Sequence, residues 1–125
     1  MRRNWDTIRE ILVRLEDLPD TDSVLSIDDF PGQRAHEISY HAELLLDARL
    51  VEGEMDRLLG PGAASFMLQR LTWSGHEFLD AVRSDTVWNK TKKTFASKGL
   101  DMTFDLAKSV AAEIAVGLVK GLGRA

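Results

Sequence analysis

The stretch AHEISYHAELLLDARLVEGEMDRLLGPGAASFMLQRLT, residues 35–72, decides the fold. It opens as an amphipathic helix, runs through Leu50 and Val51 into a strand, crosses a loop and returns in a second strand to Leu71 and Thr72. At 100° per residue, Ala35, Ile38, Ala42, Leu45 and Leu46 share one side of the helix, which should face a preceding helix. The opposite side presents His36, Tyr40, Glu43 and Asp47, flanked by Leu44. Strands are expected at residues 50–55 and 66–71. Between them lie residues 56–65, with Gly60-Pro61-Gly62 at the tip. That connection is too long for a tight hairpin and is expected to be the most mobile one.

Outward from this stretch, Asn4 is a good N-cap and Asp6 suits the positive end of a helix dipole. Trp5, Ile8, Leu12 and Leu15 follow at helical spacing, and Pro19 should end a helix covering residues 5–18. Arg2, Arg3, Arg9 and Arg14 decorate it, either as a solvated face or as one that meets phosphate. Residues 24–27 form a short apolar run able to add a third strand to the hairpin, before Asp28-Asp29-Phe30-Pro31-Gly32 breaks the chain. The main helix is expected over residues 33–50. Beyond the hairpin, Thr72 should cap a helix over 73–84, followed by a helix over 85–98 that Gly99 closes. A last helix is expected over 103–122.

The helix-then-hairpin order predicts an α+β, mostly helical, winged-helix-like domain with a two- or three-stranded wing. Residues 1–84 would form its core, and residues 85–125 a C-terminal helical extension packed on it within a single domain. The expected core comprises Trp5, Leu12, Leu15, Ile38, Leu45, Leu50, Leu71, Phe78 and Val82. The last helix carries two apolar stripes, one at Leu106, Val110, Ile114 and Leu118 and one at Ala107, Ala111, Ala115 and Val119. One stripe suffices for docking, so the wide face is either simple packing over the domain or, through the small-residue stripe, the seam of a homodimer.

Composition narrows the function classes. A chain of 125 residues that is 44% hydrophobic and 29% charged can build one core and is not disordered. Without cysteine it has no disulfide, thiolate metal site or thiol nucleophile, which fits a reducing compartment. The N-terminus lacks the apolar run of a signal peptide, and Lys108, Glu113 and Lys120 interrupt the longest apolar stretch. A cytoplasmic protein with no membrane span is expected. The net charge of −4 counts against a partner that is mainly phosphate. Distribution matters more: residues 16–29 hold six acids and no base, whereas residues 88–98 hold Lys90, Lys92, Lys93 and Lys98 and no acid.

No catalytic constellation emerges, so no enzyme activity, cofactor or metal is expected. His36 and His41 lie too far apart around their helix to share a metal as an i, i+4 pair would, and His41 reads as a satisfied inner group. His76-Glu77 lacks the second histidine of a zinc-protease motif. Asp20, Asp22, Asp28 and Asp29 read as solvated turns, and Gly60 and Gly62 lack the lysine of a phosphate loop. Two functions stay open, and the winged-helix-like fold favours the first. In one, the protein is a DNA-binding regulator whose phosphate contacts come from Arg57, Arg70, Lys90, Lys92 and Lys93. In the other, it is a protein-interaction module that uses the face made by His36, Tyr40, Glu43 and Asp47. That face bears two carboxylates and no Arg or Lys, a poor set for reading a major groove.

The segments ISYHAELL (38–45), ARLVEG (48–53), LTWSGHEFLDA (71–81) and DTVWNKTK (85–92) resemble the family called domain of unknown function twenty-five thirteen. The resemblance covers nearly the whole chain. It implies a winged-helix-like fold and a bacterial, phage or prophage setting, with no assigned activity. Arg49 stands where such helices usually place glycine, which suggests a helix end without the usual left-handed turn.

Overall fold

The computed structural model describes residues 1–57 and 61–122. The chain forms two compact units, Met1–His76 and Glu77–Ala125.

In the first unit, α1 (Trp5–Glu16) starts where Asn4 Oδ1 accepts the N–H groups of Asp6 and Thr7 at 2.9 and 3.3 Å. It buries Ile8, Ile11, Leu12 and Leu15. The helix stops two residues short of the expected Leu18, because Leu18 N–H closes a tight turn on Leu15 O ahead of Pro19. β1 (Leu25–Ser26) supplies the third strand, and a 3-10 turn follows at Ile27–Asp29. A second 3-10 turn, Gly32–Arg34, feeds directly into α2 (Ala35–Asp47). The expected helix over 33–50 is thus tighter at its start and shorter at its end.

The short end has a defined cause. Arg49 N–H bonds Leu46 O at 3.1 Å and Leu50 N–H bonds Leu45 O at 3.0 Å, the paired bonds of a Schellman cap. Arg49 sits in the left-handed region at φ 58°, so the inference that a non-glycine would avoid that turn is corrected. The backbone must reverse here to enter β2 (Val51–Asp56), and it does so whatever the side chain.

β2 pairs antiparallel with β3 (Ser65–Leu71), Val51 facing Leu71 and Asp56 facing Ser65, as the hairpin reading required. β1 adds to the other side of β3, giving the order β1-β3-β2. A bulge at Glu52/Gly53 interrupts the ladder, and a Cβ on Gly53 would lie 2.3 Å from Met67 O. The expected mobility of residues 56–65 bears on residues 58–60, which lie outside the described ones.

Thr72 joins the hairpin to α3 (Trp73–Val82). Its hydroxyl accepts Gly75 N–H at 3.1 Å and donates to Arg49 O at 2.7 Å. Gly75 is obligatory because a Cβ there would meet Leu50 O at 2.0 Å. The division between the units falls inside α3, after His76.

The second unit continues through α4 (Asp85–Lys98) and α5 (Phe104–Leu122), which pack together. Ser84, expected to end the preceding helix, instead caps α4, and Gly99 at φ 64° closes it as the sequence implies. Phe78 and Phe104 rings stack at 4.9 Å, and Lys108 Nζ pairs with Glu77 at 2.9 Å. In α5 the expected roles of the stripes are partly reversed. Ala107 and Ala111 are fully buried within the chain, whereas Leu106 and Val119 are exposed. The Ala107/Ala111 seam is therefore not available to a second copy.

Leu12, Leu15, Ile38, Leu45, Leu50, Leu71, Phe78 and Val82 are all buried. Trp5 is the exception: it is only half-buried, with the Arg3 guanidinium 4.5 Å over its ring. Among the described residues, no helix is long and apolar enough to cross a membrane.

Candidate functional site

α2 has one face closed into the fold and one open. On the closed face Ile38, Ala42 and Leu45 are buried, while Ala35 and Leu46 at its margins are half-buried. His41 is buried with them and is satisfied on both nitrogens. Its Nε2 accepts Asn4 N–H at 2.7 Å and its Nδ1–H donates to Glu37 O at 2.7 Å, a pairing that selects the neutral Nδ1–H form. Ser39 donates to Ala64 O at 2.7 Å, tying α2 to the approach of β3.

A charged cluster locks α1 to the start of α2. Arg34 makes a two-pronged bond to Glu10, both arms at 2.8 Å, and a second one to Glu37 at 3.0 and 3.2 Å. Thr7 Oγ1 completes it with a bond to Glu37 at 2.8 Å. The Arg34 guanidinium, then the Thr7 hydroxyl, hold the Glu37 carboxyl below the usual carboxylate range. Both glutamates in turn push Arg34 further toward its charged form. Beyond the i, i+3 spacing of Arg34 and Glu37, nothing in the sequence marks this cluster, since Glu10 and Thr7 lie 24 and 30 positions from their partners.

The open face of α2 carries His36 and Asp47 exposed and Tyr40 and Glu43 half-buried. Tyr40 stands edge-on to the His41 ring at 5.4 Å. Glu43 forms an ion pair with Arg57, which thus reaches from the end of β2 to this face. Arg70 lies directly across the ladder from Glu52 and grips it with two bonds at 2.9 and 2.8 Å. Both arginines named as phosphate contacts therefore already hold a carboxylate. On α4, Lys90 and Lys93 are exposed, and Lys92 is half-buried with Nζ 5.7 Å from the Trp88 ring centre. These lysines belong to the second unit and the arginines to the first.

Among the described residues, no group of three or more His, Cys, Asp or Glu is placed to hold an ion. His41 is committed to the core, and His76 Nδ1 lies 3.7 Å from Glu16. The acidic segment is turn-making chemistry. Asp20 Oδ1 accepts the N–H groups of Asp22 and Ser23 and the Ser23 hydroxyl, which lowers its pKa, and Asp29 accepts Ser26 N–H at 2.8 Å.

Comparison with known proteins adds kinship without an activity. The family model described as "Hypothetical protein (DUF2513)" matches residues 2–101. An "Uncharacterized protein" of Haemophilus influenzae (strain ATCC 51907 / DSM 11121 / KW20 / Rd) is 44% identical over 114 residues, spanning 91% of this chain and 95% of the relative. No solved structure matches.

Proposed function

The chain belongs to the DUF2513 family of hypothetical proteins, and from that premise we propose that it is a non-catalytic protein-interaction module. The reading takes the β1-β3-β2 sheet with α1 and α2 as a winged-helix frame. Its recognition surface is the open face of α2, with His36, Tyr40 and Asp47 as contact residues. One observation carries it: Arg57 and Arg70 are each paired with a glutamate, Glu43 and Glu52. A phosphate would have to displace a carboxylate from each before gaining a contact. The α2 face itself offers no Lys or Arg to a nucleic acid.

A second reading, a DNA-binding regulator, is favoured by α4, where Lys90 and Lys93 are exposed and no acid follows Asp85. Mobility shift on mixed-sequence duplex at low salt separates the two. Retardation at roughly 10 μM protein, weakening with salt and lost when Lys90, Lys92 and Lys93 are neutralised together, would establish the DNA reading and remove the first. The interaction module predicts no retardation. It further predicts a specific partner, captured by the intact chain and by the lysine-neutralised one but not by Tyr40→Ala/Asp47→Lys. Superposition on winged-helix domains tests the frame.

A further inference from the structure

The solvent side of the sheet carries a second surface that the open face of α2 does not include. Side chains alternate along each strand, so Ser26, Met67 and Glu54, which face one another across the three strands, project to one side. Phe66 and Leu68, the neighbours of Met67, are buried on the other. Around Met67 lies an open groove of about 590 Å3, bounded by the 3-10 turn on one flank and by β2 on the other. Its floor is apolar and exposed: Met67 retains 52% of its surface and Val24 41%. Its rim is acidic, with Asp28 on one side and Glu54 and Asp56 on the other, and among the described residues no Lys, Arg or His lines it.

The nearby cations do not neutralise that rim. Arg57 is held by Glu43 and Arg70 by Glu52, and among the described residues no ion pair engages Asp28, Glu54 or Asp56. An exposed methionine flanked by three carboxylates offers an apolar contact in a setting that repels an anionic partner. Its complement is an apolar side chain flanked by positive charges. A thioether floor suits this task because it adapts to side chains of different shape.

We propose that this groove docks a cationic segment of a partner protein, one that lays an apolar side chain on Met67 and Val24 and directs lysines or arginines to Asp28, Glu54 and Asp56. Charge sets the approach and the apolar contact sets the residence time. The surface is distinct from the α2 face, so the two can be tested separately.

The probe is a fluorescein-labelled peptide of alternating Lys and Leu, titrated with the full chain by fluorescence anisotropy at low salt. Saturable binding is expected, weakened roughly tenfold by Glu54→Gln/Asp56→Asn and by Met67→Ser. Glu52→Gln and Tyr40→Ala, which lie outside the groove, should leave it unchanged. A peptide with Ser in place of Leu should bind at least about tenfold more weakly. Equal binding of the Ser peptide, or indifference to both groove variants, would overturn the proposal, because charge alone would then explain the affinity. Sedimentation of the chain alone at low salt tests the remaining occupant. Self-association abolished by Glu54→Gln/Asp56→Asn or by Lys90→Gln/Lys93→Gln would assign the groove to a second copy and overturn an external partner.

Discussion

Replacing Arg49 by glycine should make the protein more stable, although it removes a side chain and adds none. Arg49 holds φ 58° at the end of α2. An L-residue pays about 1–2 kcal/mol in that region, chiefly from its Cβ against the carbonyl oxygen. Glycine pays nothing there but loses more freedom on folding, an opposing effect of about 0.4–1 kcal/mol. The cap bonds, Arg49 N–H to Leu46 O and Leu50 N–H to Leu45 O, are backbone bonds and survive the change. The balance is a gain of about 0.5–1 kcal/mol. Urea unfolding followed by far-ultraviolet circular dichroism reads this as a higher midpoint at unchanged slope. Arg49→Ala keeps the Cβ and should give no gain. A lower midpoint for Arg49→Gly, or an equal rise for Arg49→Ala, would refute the reasoning. The counterpart is Gly99, also left-handed at φ 64° with open space around it, where Gly99→Ala should lose a similar amount from backbone strain alone.

Further outcomes are expected elsewhere. Leu45 is 1% exposed, so Leu45→Ala should cost about 2–5 kcal/mol in the same assay, and a loss under about 0.5 would place it outside the core. Glu37 has a folded-state pKa below its ordinary 4.5, so its contribution is present above that value and is lost as pH falls further below it. Arg34→Met should lower stability at neutral pH and flatten the decline between neutral pH and strongly acidic pH, as read by midpoints across that range. Ala111→Glu should disrupt folding, because it places a carboxylate at a fully buried position. Val119→Glu, at a position 68% exposed, should fold and would abolish any self-association through α5 seen by sedimentation.

Local chemistry was legible in the sequence, and pairing over distance was not. The hairpin could be read because strand patterns flanked a Gly/Pro connection, and the end of α4 because Gly99 marks it directly. The left-handed Arg49 was missed because residue preference is a weak constraint. The need to turn Leu50 into β2 is a strong one, and Thr72 fixes Arg49 O in place. The α5 stripes were misassigned because Ala107 and Leu106 lie side by side on one wide face, and periodicity cannot say which of two adjacent stripes turns inward. At the candidate site the residues of the α2 face were readable from the wheel. The glutamate partners of Arg57 and Arg70 were not, since cross-strand and loop-to-helix pairings depend on register.

The Thr72 hydroxyl has a kinetic consequence. It donates to Arg49 O across 23 positions of chain while accepting Gly75 N–H. The carbonyl that ends α2 and the amide that begins α3 thus share one side chain; the amide finds it locally, three residues away, and the carbonyl finds it only when the hairpin has closed. Loop closure and satisfaction of the carbonyl that ends α2 become one step, with the entropy of the closed loop spent before that contact forms. Thr72→Val should then act on the rate of folding, with the unfolding arm of the chevron nearly unmoved.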